Sequence, residues 1–375
     1  MHNFEWKSAV NLNIVALKII GLWPQGDETY KKNFYTLYSA TILVVFVCAH
    51  NFFQTVNIFL ILDDFDAFTE TIFVTLSFIG AVVKAYSLIQ NMDTLKGLFV
   101  TIRSEMFVPK NQQQINLIQP GIKVWKTICI ALNFMGGNCA VFWSTYPLLD
   151  KADYRLPFLA WYPFPTTVSP NYELTYLYQV VCIWFIVLYN ANIDSLIAAL
   201  NMIIGAQCDI LCDNLRNLDG DNIEEDFQKC VEHHKAILEF CKKGNYFYNW
   251  ILLFQFFTSA LSLGFSMFLL TRVAAFTSEF FSFITYSYAI IIEIFLYCWF
   301  GNEVEIKSSN IPYSIFQADW TDATKIHKKI VFFTMRTQRS IKLSALNLFF
   351  LSLETFKTIL RTAWSYFAVL HQVNS

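Results

Sequence analysis

Apolar residues in this chain run in long uninterrupted blocks separated by short charged segments. Stretches free of Asp, Glu, Lys and Arg cover residues 33–62, 127–149, 174–193 and 244–271. Residues 71–92 and 280–302 are as apolar but carry one charge each, Lys84 and Glu293. A seventh stretch, residues 343–370, carries Glu354, Lys357 and Arg361. At about 1.5 Å per helical residue, each block is long enough to cross a hydrocarbon core of about 30 Å. Backbone groups inside lipid must be satisfied internally, and no ten-residue alternating pattern suggests a barrel, so the spans are predicted to be helices. The expected fold class is an all-α membrane protein with seven transmembrane helices.

The seventh stretch is the least clean. Thr355, Thr358, Thr362, Ser365, Val369 and Gln372 recur at steps of three and four, which places them on one helix face. A small-polar stripe on a membrane helix fits the lining of a water-filled path. It also fits close packing against a neighbouring helix, which small residues favour. Glu354, Lys357 and Arg361 lie one position off the stripe, spaced to pair with one another or to face a vestibule.

Composition agrees with a membrane protein: 55% hydrophobic, 18% aromatic and 15% charged residues, with a mean hydropathy of +0.41. The distribution of the 27 Lys and Arg then sets an orientation. If the N-terminus is cytosolic, only Lys151, Arg155 and Arg272 face outward, and only Lys84, Lys357 and Arg361 lie within spans. The positive-inside rule puts the N-terminus in the cytosol and the C-terminus outside, the reverse of a G-protein-coupled receptor. Residues 9–23 offer no cleavable signal, being interrupted by Asn11, Asn13 and Lys18. With Trp6 and Trp23 at its ends, this stretch fits a helix lying flat at the cytosolic interface, or equally a short buried helix.

Four regions follow: a cytosolic N-terminal segment with the interfacial helix (1–32), six spanning helices (33–302) with a cytosolic extension at about 208–243, a cytosolic helix (303–342), and the seventh helix with a short outer tail (343–375). In residues 313–342, Phe316, Trp320, Ala323, Ile326, Ile330 and Phe333 form an apolar seam, with Lys325, Lys328, Lys329, Arg336 and Arg339 on other faces. Such a helix lies on the bilayer surface or anchors neighbouring subunits below the membrane.

Chemical motifs are sparse. The nine cysteines leave the outer loops empty under this topology, which argues against a disulfide framework. Cys208 and Cys212 stand at i, i+4, a spacing open to a metal or a lipid, but packed thiols are the simpler reading. His233 and His234 sit in a charged helical stretch, and there is no phosphate loop, His-Glu-x-x-His or nucleophile elbow. Neither an enzyme nor a resident metal or cofactor is expected, and nothing points to nucleic acid.

The run from Thr362 through Trp364, Ser365, Tyr366 and Phe367 to Gln372, preceded by the basic cytosolic helix, resembles the C-terminal signature of insect odorant receptors. Length, span number, inside N-terminus and the long connection between the fourth and fifth helices agree with that family. The related gustatory receptors carry Thr where this chain has Ser365 and Phe where it has Val373. The resemblance implies an odorant-gated, non-selective cation channel in the plasma membrane of olfactory neuron dendrites. It implies a tetramer containing an obligate co-receptor subunit of similar fold, with permeating cations and lipid as further contacts. It also places the pore on the seventh helix, lined by Thr358, Thr362 and Ser365, with Val369 and Val373 as an apolar gate beside Gln372. Phe316, Trp320, Ile326, Ile330 and Phe333 would form the subunit anchor.

A small volatile needs a mostly aromatic and aliphatic pocket with one or two polar groups. On the third helix Gly136, Cys139 and Trp143 share one face, two small residues leaving space beneath an indole. The family places its pocket in the outer half of helices two to six. At that depth stand Phe73 and Leu76, Tyr178 and Cys182, Leu261 and Phe265, and Ile284, Ser287 and Tyr288. The density of aromatic residues suggests an aromatic ligand held by stacking. The rivals are a gustatory-type channel, a G-protein-coupled receptor of opposite orientation, and a transporter, which would usually show internal repeats or broken helices.

Overall fold

The structure is a computed structural model that describes residues 4, 6–26, 30–31, 33–149, 155–218, 222–318, 320 and 326–373. Helices dominate. A short helix α1 (Trp6–Ile19) is followed by a first span, Phe34–Leu60, in which α2 (Phe34–Thr41) and α3 (Ala49–Leu60) join through a π-helical stretch, Ile42–Cys48. Then come α4 (Phe65–Gln90), α5 (Met92–Thr101), α6 (Gln112–Leu149), α7 (Asn171–Arg216), α8 (Ile223–Leu270) and α9 (Ser278–Ser309). Two short helices, α10 (Ile311–Ile315) and α11 (His327–Thr337), lead to a hairpin of β1 (Ser344–Ala345) and β2 (Phe349–Phe350). The chain finishes in α12 (Leu353–Val373). Among the described residues six helices are long and strongly apolar, and α12, with 21 residues and mixed polarity, is the seventh of spanning length.

Local chemistry sets the helix starts. Asn33, Asp64 and Thr277 each accept a hydrogen bond from the amide three residues on, which satisfies a donor left free at the helix N-terminus.

Helix α7 is the hub, with every residue from 191 to 208 buried. Its partners reach it with polar side chains as well as apolar ones. Trp125 Nε1 donates to the Ser195 carbonyl (3.0 Å), Asn13 Nδ2 to the Asn192 carbonyl (2.8 Å), and the Tyr248 hydroxyl to Asn201 Oδ1 (2.8 Å). Buried polar groups matched in this way fix the rotation of α7 within the bundle, because a turn of either partner would strand them.

Three expectations change. Helix α1 is not simply laid on an interface: Trp6, Val10, Leu17 and Trp23 are buried in the chain's own core, while Leu12, Val15 and Ile19 form a second, exposed apolar face. The single amphipathic helix expected over 313–342 is two short helices, with Ala323 and Lys325 outside the described residues. Its seam divides accordingly. Ile326, Ile330 and Phe333 are buried, Phe333 against Phe227 and His234 of α8, whereas Trp320 is half-buried and Phe316 exposed. The last helix begins at Leu353 rather than near residue 343, because residues 344–350 turn back as the hairpin, with Leu346 and Asn347 both at positive φ.

Candidate functional site

Between α4, α6, α7, α8 and α9 lies a cavity of about 120 Å³, of the order known to hold a single benzene ring when dry. One end is aromatic. Trp143 of α6 stacks on Phe158 with centroids 5.1 Å apart and planes 16° from parallel, and Phe78 of α4 meets Phe158 edge-on at 5.3 Å. Phe158 belongs to the α6–α7 connection, where no regular backbone ladder would hold it. Gln179 of α7 does so: the Phe158 amide donates to Gln179 Oε1 (2.9 Å), and Gln179 Nε2 donates back to the Phe158 carbonyl (3.0 Å). A buried side-chain amide thus clamps a loop residue over the cavity as a strand neighbour would.

The other end is polar. Asn190 and Asp194 of α7, Gln255 of α8 and Glu293 of α9 contribute to the wall. Behind them lies Lys84 of α4, whose Nζ is 2.7 Å from Asp194 Oδ1 and also pairs with Glu293. The Tyr297 hydroxyl donates to Asp194 as well. The two isolated charges of the hydropathy pattern, Lys84 and Glu293, therefore meet each other through the fold.

Of the residues proposed from sequence, Gly136, Cys139 and Trp143 line this cavity. The space reserved at Gly136 is not empty, however: a Cβ there would stand 2.6 Å from Val187 Cγ1, so the glycine admits α7 rather than a ligand. The others lie off the cavity wall. Phe73 is buried behind it against Trp143, Phe283 and Tyr286. Cys182 is buried, and Tyr178 donates to the Val45 carbonyl at 2.7 Å beside Phe46 and His50. Leu76, Leu261, Phe265 and Ile284 are half-buried elsewhere, Ser287 bonds Ser266 at 2.7 Å, and Tyr288 is exposed. To this cavity α4 presents Val74, Ser77 and Phe78, and α9 presents Tyr286, Ala289, Ile290 and Glu293. A block apolar on all sides carries no periodicity to say which face looks inward. Phe158 had no signal at all, since it lies in a loop.

The stripe on α12 presents a different surface. Ile359 and Ala363 are buried toward the bundle, whereas Thr358, Ser365, Val369 and Gln372 are exposed. Thr355 and Thr362 are half-buried, and together with Thr358 they border an open groove of about 720 Å³ against Trp250, Phe254 and Phe257 of α8. The hydroxyls of Thr358, Thr362 and Ser365 donate to carbonyls four residues back, at 3.0, 2.9 and 3.0 Å. Lys357 pairs with Glu354 at 3.3 Å. The side chain of Val373 lies outside the described residues.

Comparison with known proteins identifies the lineage. The model of the 7tm Odorant receptor family matches residues 64–364. The chain belongs to that family. Odorant receptor 46a, isoform A, of Drosophila melanogaster is 24% identical over 372 residues, covering 96% of both chains. Odorant receptor Or1 of Anopheles gambiae is 21% identical over 407 residues, covering 99% of this chain and 97% of its own. The solved olfactory receptor OR5 of Machilis hrabei, in complex with eugenol, superposes with a TM-score of 0.87 at 21% identity and 98% coverage of each chain. A second solved structure of OR5 superposes with a TM-score of 0.86 at the same identity and coverage. The receptor fold is thus that of OR5, and its family is one of membrane receptors, not enzymes.

Proposed function

We propose that this receptor is the odorant-binding subunit of a ligand-gated, non-selective cation channel in the plasma membrane of olfactory neuron dendrites. The N-terminus is cytosolic and the C-terminus extracellular, a reading the Lys and Arg distribution supports. A small volatile occupies the cavity between Trp143 and Glu293, held by stacking on Trp143 and Phe158 with Gly136 and Cys139 beneath. The remaining candidate contacts, Phe73, Leu76, Tyr178, Cys182, Leu261, Phe265, Ile284, Ser287 and Tyr288, stand off the wall of this cavity.

The observation that carries the reading is the pairing of this cavity with a terminal helix on which Thr358, Ser365, Val369 and Gln372 of the small-polar stripe are exposed. Hydroxyls satisfied within their own helix tolerate a pore that is alternately dry and wet. Several copies of α12 around one axis would line a pore with Thr358, Thr362 and Ser365 and close it with Val369 and Val373 beside Gln372. Apolar side chains converging there exclude water, and separating them admits it. Co-receptor subunits supply the other copies, and Phe316, with the exposed side of α11, anchors them below the membrane. Ligand opens the pore only to the extent that it binds the open arrangement better.

The test is odorant-evoked current in cells co-expressing a co-receptor. Val369→Ala should raise resting leak, and Trp143→Ala should weaken ligand sensitivity while leaving maximal current. Unchanged leak and gating in the first and unchanged sensitivity in the second would remove both assignments. An epitope at the C-terminus reached by antibody on intact cells checks the orientation.

A further inference from the structure

The charged cluster at the inner end of the cavity is unbalanced. One ammonium, Lys84, faces two carboxylates, Asp194 and Glu293. All three are contributed by different spanning helices, where an unmatched charge is expensive. Their exposure is unequal: Lys84 is 1% exposed and Asp194 3%, while the Glu293 side chain retains 14%. Both acids belong to the cavity wall and Lys84 does not. Asp194 is also held by Tyr297. What the cavity meets at this end is therefore the pair of acids, with Glu293 the more accessible, while the Lys84 they share lies outside the wall.

Resting on the assignment of this cavity as the ligand site, we infer that the receptor is tuned to small apolar amines, bound as ammonium ions with the nitrogen at Glu293 and the apolar body against Trp143 and Phe158. The rest of the wall selects among cations. A bare metal ion wants about six oxygen ligands, and among the described residues no group of three His, Cys, Asp or Glu is gathered to hold one. An organic ammonium fits both ends: its N–H groups donate to the carboxylate, and its ring or chain is drawn from water by the stacked aromatic pair. The breadth of the cavity limits the body to about one six-membered ring.

The experiment compares 2-phenylethylamine with its near-isosteres 2-phenylethanol and propylbenzene, using binding to the purified full-length receptor read by thermal shift, together with evoked current. We expect the amine to bind at least about tenfold more tightly than either neutral compound, the worth of a hydrogen bond to a charged group. Glu293→Gln should abolish that preference while binding of propylbenzene persists. Comparison of the three ligands on the unaltered receptor does not depend on the variant folding. If 2-phenylethanol or propylbenzene binds as well as the amine, and Trp143→Ala weakens that binding, the amine inference fails and the cavity assignment stands. If none of the three binds, the cavity assignment falls and takes this inference with it.

Discussion

Gly301 of α9 is where the foot of α12 is seated, and substituting it isolates one packing term. A Cβ on Gly301 would lie 2.2 Å from Leu351 Cβ and 2.6 Å from the Leu351 carbonyl oxygen. Ordinary carbon contacts are about 3.5–4.0 Å, so Gly301→Ala requires a displacement of more than an ångström. Part of the obstacle is backbone, which cannot turn aside as a side chain does. Leu351 stands two residues before α12 begins, so the displaced element is the foot of that helix. Overpacking of this kind costs about 1–3 kcal/mol. Against it stands a gain of about 0.4–1 kcal/mol from a less flexible unfolded chain. The exposed helical Gly97 of α5, whose Cβ would meet nothing within 4 Å, supplies the control. Gly97→Ala keeps the gain without the clash, so the difference between the two variants reads the clash alone, about 1–3 kcal/mol. Thermal and denaturant unfolding of both purified variants measures it, and evoked current shows whether gating shifts while ligand binding, which involves neither residue, is preserved. Variants equal in stability to within about 0.5 kcal/mol, the usual scatter of neutral surface changes, would refute the argument.

Three more expectations share this logic. Gln179→Leu removes three buried hydrogen bonds of about 1 kcal/mol each, two to Phe158 and one to the Tyr162 hydroxyl, and frees Phe158, so ligand sensitivity should fall by roughly tenfold or more while surface expression is retained; unaltered dose–response curves would show that the clamp does not hold the site. Lys84→Met leaves two carboxylates without their cation and should cost about 3–5 kcal/mol, seen as lost surface expression. Adding Asp194→Asn and Glu293→Gln should recover much of it, and a triple variant as poor as the single one argues against charge imbalance as the cause. His233 and His234 lie in the charged half of α8 that precedes its apolar block, and burial holds both down from 6.5 to about 4. A base kept neutral by the fold contributes its stability above the unfolded value and loses it as pH falls toward the folded one. Each should therefore cost about 2 kcal/mol at pH 5 relative to pH 7.5, and a double Gln variant should melt with a flatter pH profile over that range.

Much of the architecture was legible in the sequence because it follows from solvent. Lipid forces long apolar helices, so four blocks could be delimited by the positions of Asp, Glu, Lys and Arg alone and two more by hydropathy around the single charges Lys84 and Glu293. The stripe on α12 was equally visible, since a helix with one polar face has a period, and its exposed and buried sides follow that period. The face shared by Gly136, Cys139 and Trp143 was legible as well, although the space at Gly136 is taken by Val187 of α7.

What the sequence could not supply was rotation and pairing. In the apolar blocks of α4 and α9, where Lys84 and Glu293 are the only charges, hydrophobic residues stand on every side, and the choice of Val74 over Phe73 or of Tyr286 over Tyr288 depends on which neighbours fill the space between helices. Phe158 reaches the cavity only because Gln179, 21 positions away, offers both halves of an amide to its backbone. Lys84 and Glu293, 209 positions apart, were two anomalies in separate blocks until the bundle brought them together with Asp194. Solvent sorts residues by type and so writes spans, charge asymmetry and polar stripes directly into the order of the chain. Contacts between helices depend on shape and on partners distant in sequence, and those only the tertiary structure decides.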